Sequence, residues 1–277
     1  MPANPQQLHE AIGRIGGYLR STALDRRQAQ SRALELVRQA AADPDRLRAR
    51  IAEAVAEDAS LRCAVPGDEN LAVGFDCPAG ASVSTLLAVD GSQAIADRHE
   101  EVAFALINIG SVCVEQGTGR VPQVSVETRL LFGEELLSAD GRMLSEGDLA
   151  LQRDAAERRA MLTGTSAASA SVMLVDGPLE LWGAKDVSDP AAFEQARRRY
   201  LEDLRELHRR GCTIAGYVDK PGADLVVRML ELGQVPAAAD RRARTLRGVT
   251  DRWLCAQILA PGQRSAVEPW QPRAPPM

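Results

Sequence analysis

Aromatic residues are scarce in this sequence of 277 residues: they make up 4% of it, so leucine, valine, isoleucine and alanine must fill any core. The five cysteines form no Cys-x-x-Cys pair, which argues against a zinc site or a disulfide framework and favours reduced, mostly buried thiols. No apolar run approaches the roughly 20 residues that a membrane-spanning helix needs. Because the N-terminus lacks a basic segment followed by an apolar one, we expect no signal peptide and a cytoplasmic protein without membrane contacts.

Several catalytic motifs are also missing. There is no Gly-x-x-x-x-Gly-Lys-Ser/Thr phosphate loop, so we do not expect the chain itself to be an ATPase. There is no Gly-x-Ser-x-Gly nucleophile motif either. The net charge of -5 argues against a protein that grips DNA alone over a broad surface. One stretch, from Asp240 to Arg252, carries five arginines and two aspartates. It is either a local basic face or a solvated helix surface.

The first 80 residues are predicted to form a helical arm and a linker. Leu8, Ile12, Ile15 and Leu19 have helical spacing, and Asp43-Pro44 has the residue types that cap and start a new helix. Breakers then make residues 58–80 irregular. The apolar stripe has little core to cover, so the arm is a candidate contact for a partner or a second subunit. At the other end, residues 267–277 are rich in proline and are predicted to be disordered.

Residues 81–266 are predicted to form the core of the protein. Short apolar stretches predict a strand that ends at Asp90, a hairpin, and two further strands, the first of which ends at Asp176. Charged stretches of helical character separate them. The expected order is strand, hairpin, helix, strand, helix, strand and helix. Such an order is typical of an α/β fold with a mixed sheet flanked by helices.

Two segments of this core resemble each other in sequence: LLAVDGSQ contains Asp90, and MLVDGPLE contains Asp176. In each, an apolar strand runs into an aspartate and a glycine. If the two strands are neighbours, the carboxylates lie close together and repel each other unless a cation sits between them. Oxygen ligands of this kind suit Mg²⁺ or Mn²⁺. The alternative is that each Asp-Gly pair only marks a turn.

Two further acidic positions are candidates. Glu157 lies in the predicted helix before the second aspartate strand, but Asp154 is a rival carboxylate in that helix. A surface ion pair of Glu157 with Arg153, four residues earlier, is the simpler interpretation. Asp251 precedes an apolar run, where it either caps a helix or contributes to a metal site. His99 has no second histidine nearby and is not interpreted as a ligand.

Taken together and in order, five stretches of the sequence resemble the bacterial NurA nuclease family over about residues 84–266. They are DGSQAIADRHEEVAFALINIGSV, QRDAAERRAML, VMLVDGPLELW, IAGYVDKPGADLVVRML and GVTDRWLCAQILAPGQRSA. The resemblance implies an RNase H-like fold and Mn²⁺- or Mg²⁺-dependent nuclease activity on DNA ends and single strands. It also implies a homodimer that works with the hexameric ATPase HerA.

Carried over by position, the resemblance implies that Asp90, Glu157 and Asp176 bind metal and that Asp251 is a further catalytic acidic residue. Family members continue past the Arg-Ser stretch with more strands and a late histidine, whereas here no histidine follows His208. Two hypotheses therefore stand. The first is a two-metal nuclease, a single-strand endonuclease and 5′–3′ exonuclease that acts in DNA end resection and repair. The second is a catalytically weak dimeric adaptor for the ATPase.

Overall fold

The computed structural model describes residues 4–80, 84–95, 102–138, 141–164, 171–181, 187–234 and 242–267. The chain divides into two compact units: residues 1–79 with 220–277, here the helical unit, and residues 80–219, here the sheet unit. The predicted boundaries differ from this division, because they assign residues 220–266 to the core with the sheet. His99 and all but the first residue of the predicted disordered tail lie outside the described residues.

The elements run in chain order as follows. The helices are α1 (Pro5–Ala42), α2 (Pro44–Glu57), α3 (Glu146–Gly164), α4 (Pro190–Arg209), α5 (Leu225–Gln234) and α6 (Asp251–Ile258). The strands are β1 (Phe75–Asp76), β2 (Ser84–Ile95), β3 (Phe104–Gln116), β4 (Gln123–Phe132), β5 (Ser171–Asp176), β6 (Thr213–Tyr217) and β7 (Gln263–Arg264). A short 3₁₀ helix, Gly133–Leu136, follows β4.

The helical unit begins with one long helix, α1, where the sequence suggested two helical stretches. No proline interrupts it, and it ends where Asp43 leaves helical geometry before Pro44. The carboxylate of Asp43 then accepts the backbone N–H of Arg46 and caps α2, as the sequence predicted. In α1 the buried residues all belong to the last third: Ala33, Leu36, Val37 and Ala40. The apolar stripe of the first part is exposed.

A buried ion-pair network holds α5 to the segment before α6. The carboxylate of Glu231, 1% exposed, accepts hydrogen bonds from Arg228 at 2.9 Å, from Arg244 at 2.7 Å and from the backbone N–H of Leu246 at 2.7 Å. Within residues 242–250 the chain is not helical. The described part of the basic stretch before Asp251 is therefore not a solvated helix. Arg244, which belongs to this stretch, donates to the buried carboxylate of Glu231.

A second ion pair closes the helical unit near its last described residues. Arg264 donates two hydrogen bonds of 2.7 Å to the two carboxylate oxygens of Glu69, and its guanidinium lies 4.8 Å from the centre of the Phe75 ring. The backbone N–H of Val267 donates to the same carboxylate at 2.9 Å. The hydrogen bond from Arg264, together with that of Val267, lowers the pKa of Glu69 from 4.5 to about 2.

This pair predicts a pH-dependent contribution to stability. Because the pKa of Glu69 is lower in the folded state, its stabilising effect is complete above about pH 4.5 and is lost as the pH falls towards 2. Glu69→Gln should therefore lower the thermal midpoint at neutral pH, and the difference from wild type should shrink steadily below pH 4.5. Calorimetric scans of both proteins across that range provide the measurement. A difference that stays constant down to pH 2 would contradict this interpretation of the pair.

The sheet unit contains a five-stranded mixed sheet in the order β4-β3-β2-β5-β6. β2, β3 and β4 pair antiparallel, whereas β2, β5 and β6 run parallel. The predicted hairpin is thus confirmed, and so is the alternation of helix and strand that follows it. An antiparallel three-stranded half joined to a parallel half through the first strand is the RNase H-like arrangement, and the predicted fold class is confirmed.

Helices α3 and α4 pack on one face of this sheet. The core between them consists of alternate strand residues such as Leu87, Val89 and Met173, together with Met161 of α3 and Leu207 of α4. Among the described residues of this unit the opposite face is open: Val124, Val126, Leu130 and Phe132 of β4 are exposed there. Residues that alternate with the core positions of β2 and β5 consequently face open space.

The state of the cysteines and the apolar character of the helices can be compared with the expectations from composition. All five cysteines are free; Cys63 and Cys212 are buried, Cys77 is exposed, and the other two are half-buried. No helix in the described ranges combines the length and the apolar character that crossing a bilayer requires.

Candidate active site

Asp90 and Asp176 occupy equivalent positions on neighbouring parallel strands. The β2–β5 ladder runs in register from Thr85 opposite Ser171 to Val89 opposite Val175, and each aspartate is the next residue along its strand. Since Val89 and Val175 belong to the helix-covered core, both aspartates project from the other face. Both are exposed. The structure thus brings together the two carboxylates that the repeated pattern predicts.

One detail of this prediction is wrong: β2 does not end at Asp90. It continues to Ile95, because Asp90 and the residues after it go on pairing with β3, beginning with Asp90 opposite Gly110. Asp90 therefore follows the last parallel pair of the ladder but lies within the strand. Its Asp-Gly pair is not a turn, whereas Gly177, after Asp176, has a φ of 85° and does begin a loop.

Helix α3 brings Glu157 against β2 at Gly91. A Cβ atom on Gly91 would lie 2.6 Å from Oε1 of Glu157 and 2.7 Å from Cγ of Arg153. Both are contacts that a real side chain could not make. Glycine after Asp90 is therefore what lets α3 approach the strand closely enough to place Glu157 in a pocket that the aspartates also line. Glu157 is 6% exposed.

The carboxylate of Glu157 lies between two arginines. Nε of Arg153 is 3.4 Å from one oxygen, and Nη1 of Arg158 is 3.6 Å from the other. Burial, with a smaller effect from the nearby carboxylates of Asp154 and Asp90, outweighs the opposing effect of the two arginines and raises the pKa of Glu157 from 4.5 to about 7. The two arginines therefore offset only part of the effect that burial and the neighbouring carboxylates have on the pKa of Glu157.

A pocket of about 290 Å³ within the sheet unit joins these groups. Its acidic and basic lining residues are Asp90, Arg153, Asp154, Glu157, Arg158, Asp176 and Glu180. Within the ranges that the structure describes, no three histidine, cysteine, aspartate or glutamate side chains are gathered closely enough to hold an ion as they stand. The carboxylates share a pocket but do not form a preassembled ligand set.

The residues fit a hard divalent cation in their chemistry. All the candidate ligands are carboxylates, which Mg²⁺ and Mn²⁺ prefer. Asp154 also lines the pocket, and it accepts a hydrogen bond of 2.9 Å from Arg153. The structure therefore does not choose between Asp154 and Glu157 as the helix ligand by position alone.

Asp251 lies in the helical unit. Its two carboxylate oxygens accept the backbone N–H groups of Val226 at 3.1 Å and Val227 at 2.9 Å, at the first turn of α5. It is the first residue of α6, whose cap is Thr250. A capping role, one of the two alternatives open from the sequence, accounts for these contacts, although the helix that Asp251 caps is α5. A catalytic role for Asp251 stays a prediction from the family resemblance.

Sequence reasoning did not single out two residues that build the pocket wall. The guanidinium of Arg158 lies 4.9 Å from the centre of the Tyr200 ring, and the Tyr200 hydroxyl donates to the backbone oxygen of Leu179 at 2.7 Å. Tyr200 thereby links α4, α3 and the segment after Asp176. The only signal in the sequence is a tyrosine within an otherwise charged stretch of α4, which does not reveal its neighbours.

Comparison with known proteins gives one broad match. A family model described as the NurA domain matches residues 84–269. Among solved structures, the NurA nuclease from Sulfolobus solfataricus is 13% identical, with a TM-score of 0.35, covering 75% of this chain and 67% of that one. LC9-RNase H1, a type 1 RNase H with the type 2 active-site motif, is 11% identical, with a TM-score of 0.26, covering 73% and 96%. No curated protein matches.

Proposed function

The chain belongs to the NurA family, and from that premise we propose that it is a divalent-metal-dependent DNA nuclease. One observation supports this proposal above the others. Asp90 and Asp176 follow the last pair of a parallel ladder, and they line one pocket with Glu157, which α3 places over Gly91. A divalent cation would be stabilised by carboxylates that share a pocket, and such cations are what phosphodiester hydrolysis in these sites uses.

We propose that Asp90, Glu157 and Asp176 hold Mn²⁺ or Mg²⁺. When bound, a pair of such ions supplies a more acidic water as nucleophile and stabilisation for the leaving oxygen. The chain's own contribution is to position the carboxylates around the pocket. We assign Asp251, in the helical unit, a further acidic role only on the strength of the resemblance.

The proposed substrates are DNA single strands and DNA ends, in single-strand endonuclease and 5′–3′ exonuclease reactions of end resection and repair in the cytoplasm. The two aspartates are exposed and line the open face of the sheet as well as the pocket. A single strand can approach them from that face without first displacing any of the described residues of the sheet unit.

Two matched variants test which carboxylate of α3 is the ligand. Glu157→Gln should reduce Mn²⁺-dependent cleavage of single-stranded DNA by at least about 100-fold, because loss of a ligand costs more than loss of a supporting group. Asp154→Asn should retain most of the activity, since Arg153 already holds that carboxylate. Cleavage assays with both purified variants decide between them. The reverse order of effects would transfer the ligand role to Asp154.

We further propose that the protein acts as a homodimer with a HerA-type hexameric ATPase. The exposed stripe on α1 supports a protein contact: Leu8, Ile12, Ile15 and Leu19 are each more than half exposed. The net charge of -5 supports delivery of DNA by a partner, because the isolated chain has little positive charge with which to capture phosphates.

The isolated protein should therefore bind DNA weakly, with an affinity that falls steeply with salt, and the ATPase should strengthen binding. Ile15→Asp places a charge in the α1 stripe and should abolish either this strengthening or the self-association of the chain. Fluorescence anisotropy with labelled single-stranded DNA and sedimentation velocity measure the two effects. If Ile15→Asp changes neither, the stripe is not a contact. Tight, salt-insensitive binding by the chain alone would contradict delivery.

The second candidate function is a catalytically weak dimeric adaptor for the ATPase. It is favoured by the finding that no three candidate ligand side chains of the described residues are gathered around an ion position. The adaptor hypothesis expects the wild-type protein to bind the ATPase yet to cut no DNA at any Mn²⁺ concentration.

A further inference from the structure

Arg158 is buried without the hydrogen bonds that its guanidinium can make. The residue is 3% exposed, and its Nε and Nη1 atoms have no hydrogen-bond partner among the described residues. The carboxylate of Glu157, the neighbour with which it forms an ion pair, is 3.6 Å away, beyond hydrogen-bond distance. Buried N–H groups in native proteins are almost always satisfied, so an unsatisfied pair calls for a specific explanation.

The position of Arg158 is built by its neighbours. The Tyr200 ring lies under the guanidinium at 4.9 Å, and the Tyr200 hydroxyl is tied to the segment after Asp176. Tyr200 itself is 4% exposed, so neither partner moves freely. The guanidinium is thus held in the wall of the pocket that Asp90, Glu157 and Asp176 also line.

The chemistry that satisfies a planar guanidinium is an oxyanion, above all a phosphate or a carboxylate. The carboxylate that pairs with Arg158 is Glu157, which the arginines approach but do not hydrogen-bond. If a divalent cation binds the Glu157 carboxylate, Arg158 loses the negative charge with which it pairs. Its buried guanidinium then has neither that ion pair nor hydrogen bonds for Nε and Nη1. The remaining ligand of the right charge that enters such a pocket is a phosphate group.

We propose that Arg158 binds a non-bridging oxygen of a DNA phosphate in this pocket, beside the carboxylates. The inference rests on the proposed nuclease function for the identity of the ligand. It assigns Arg158 contact with the substrate and Tyr200 the positioning of Arg158. The pocket is then a mixed site, with carboxylates for the cation and a buried guanidinium for the phosphate.

The test compares Arg158→Gln with Arg159→Gln in the full-length protein. Arg159 is the next residue, its side chain is 74% exposed, and it lies outside the pocket lining, so its variant makes the same change of charge on the surface. Binding of a short single-stranded DNA is measured by anisotropy in Ca²⁺ at several salt concentrations. The affinity of the same variants for Mn²⁺ is measured without DNA by electron paramagnetic resonance.

Arg158→Gln should weaken DNA binding by about ten-fold and reduce the slope of log affinity against log salt by about 0.7, the value for one phosphate contact to a single strand. Its Mn²⁺ affinity should rise, since Arg153 is then the only arginine beside the Glu157 carboxylate among the described residues. Arg158→Lys should keep the slope but lose part of the affinity, because an ammonium keeps the charge without the planar fork. Arg159→Gln should resemble wild type in both measurements.

Two results would overturn the proposal. Tighter Mn²⁺ binding with unchanged DNA binding would mean that Arg158 only neutralises Glu157. Weaker binding of both ligands together with a lower melting temperature, in the Lys variant as well, would mean that Arg158 is structural. Failure of the nuclease function is distinguishable from both. In that case wild type cuts nothing, and the phosphate contact still stands if Arg158→Gln alone loses DNA affinity.

Discussion

Asp90→Asn should abolish Mn²⁺-dependent degradation of single-stranded DNA, with a loss of at least about 100-fold, and leave the fold intact. The substitution keeps the size and shape of the side chain but removes the negative charge that a metal requires. Changes in groups that merely support metal ligands already cost 10- to 100-fold, and a ligand should cost more. Asp90 is exposed, and its backbone stays paired with Gly110, so little structure depends on its carboxylate.

The measurement combines cleavage assays with circular dichroism melts of wild type and variant. Asp203→Asn is a matched control, because it makes the same chemical change on α4, outside the pocket lining. Equal cutting by wild type and Asp90→Asn would remove Asp90 from the list of ligands. If wild type does not cut even with the proposed ATPase partner present, the adaptor hypothesis replaces the nuclease.

Glu231→Ala should lower the free energy of unfolding of the helical unit by about 3–5 kcal/mol, the usual cost of removing one partner from a buried ion pair. Its carboxylate is the shared acceptor for Arg228, Arg244 and a backbone N–H, and its side chain is 0% exposed. Without it, the Arg228 guanidinium, whose side chain is 7% exposed, loses the negative charge it pairs with in the interior.

Urea denaturation followed by circular dichroism provides the measurement. Glu35→Gln is the control, because Glu35 pairs with Arg32 on the surface of α1, where both side chains are about half exposed. Exposed pairs of this kind contribute little, and the control should unfold close to wild type. A loss below about 1 kcal/mol for Glu231→Ala would show that the network does not hold the unit together.

Local patterns in the sequence were sufficient to predict the order and type of most elements of the sheet unit. The apolar runs before Asp90 and Asp176, and the hairpin between them, specify strands because their period and length fit no other structure well. The helix that carries Glu157 follows in the same way. The equivalence of the two aspartates could also be inferred, since similar strands joined by a crossover tend to pair side by side.

The division into two compact units could not be predicted from local sequence patterns, because the contacts that define the units join residues far apart in the chain. Residues 220–266 follow the sheet in sequence, yet α5 buries its apolar side chains against α1 and α2 of the helical unit. Asp251 illustrates the consequence. Its sequence neighbours suggest a cap for α6, whereas its carboxylate reaches the first turn of α5, about 25 residues away.

What the sequence by itself determined is the order of most elements, the mixed sheet and the pairing of Asp90 with Asp176, because these follow from short-range periodicity and from a repeated motif. The choice of Glu157 over Asp154 came only from the family resemblance and stays a prediction. What only the tertiary structure decided is the environment of those carboxylates. The continuation of β2 past Asp90, the close approach of α3 at Gly91 and the placement of Arg158 on Tyr200 all arise from packing between separate elements. Charge and burial at Glu157 depend on that packing, so its raised pKa could not be predicted from sequence neighbours alone.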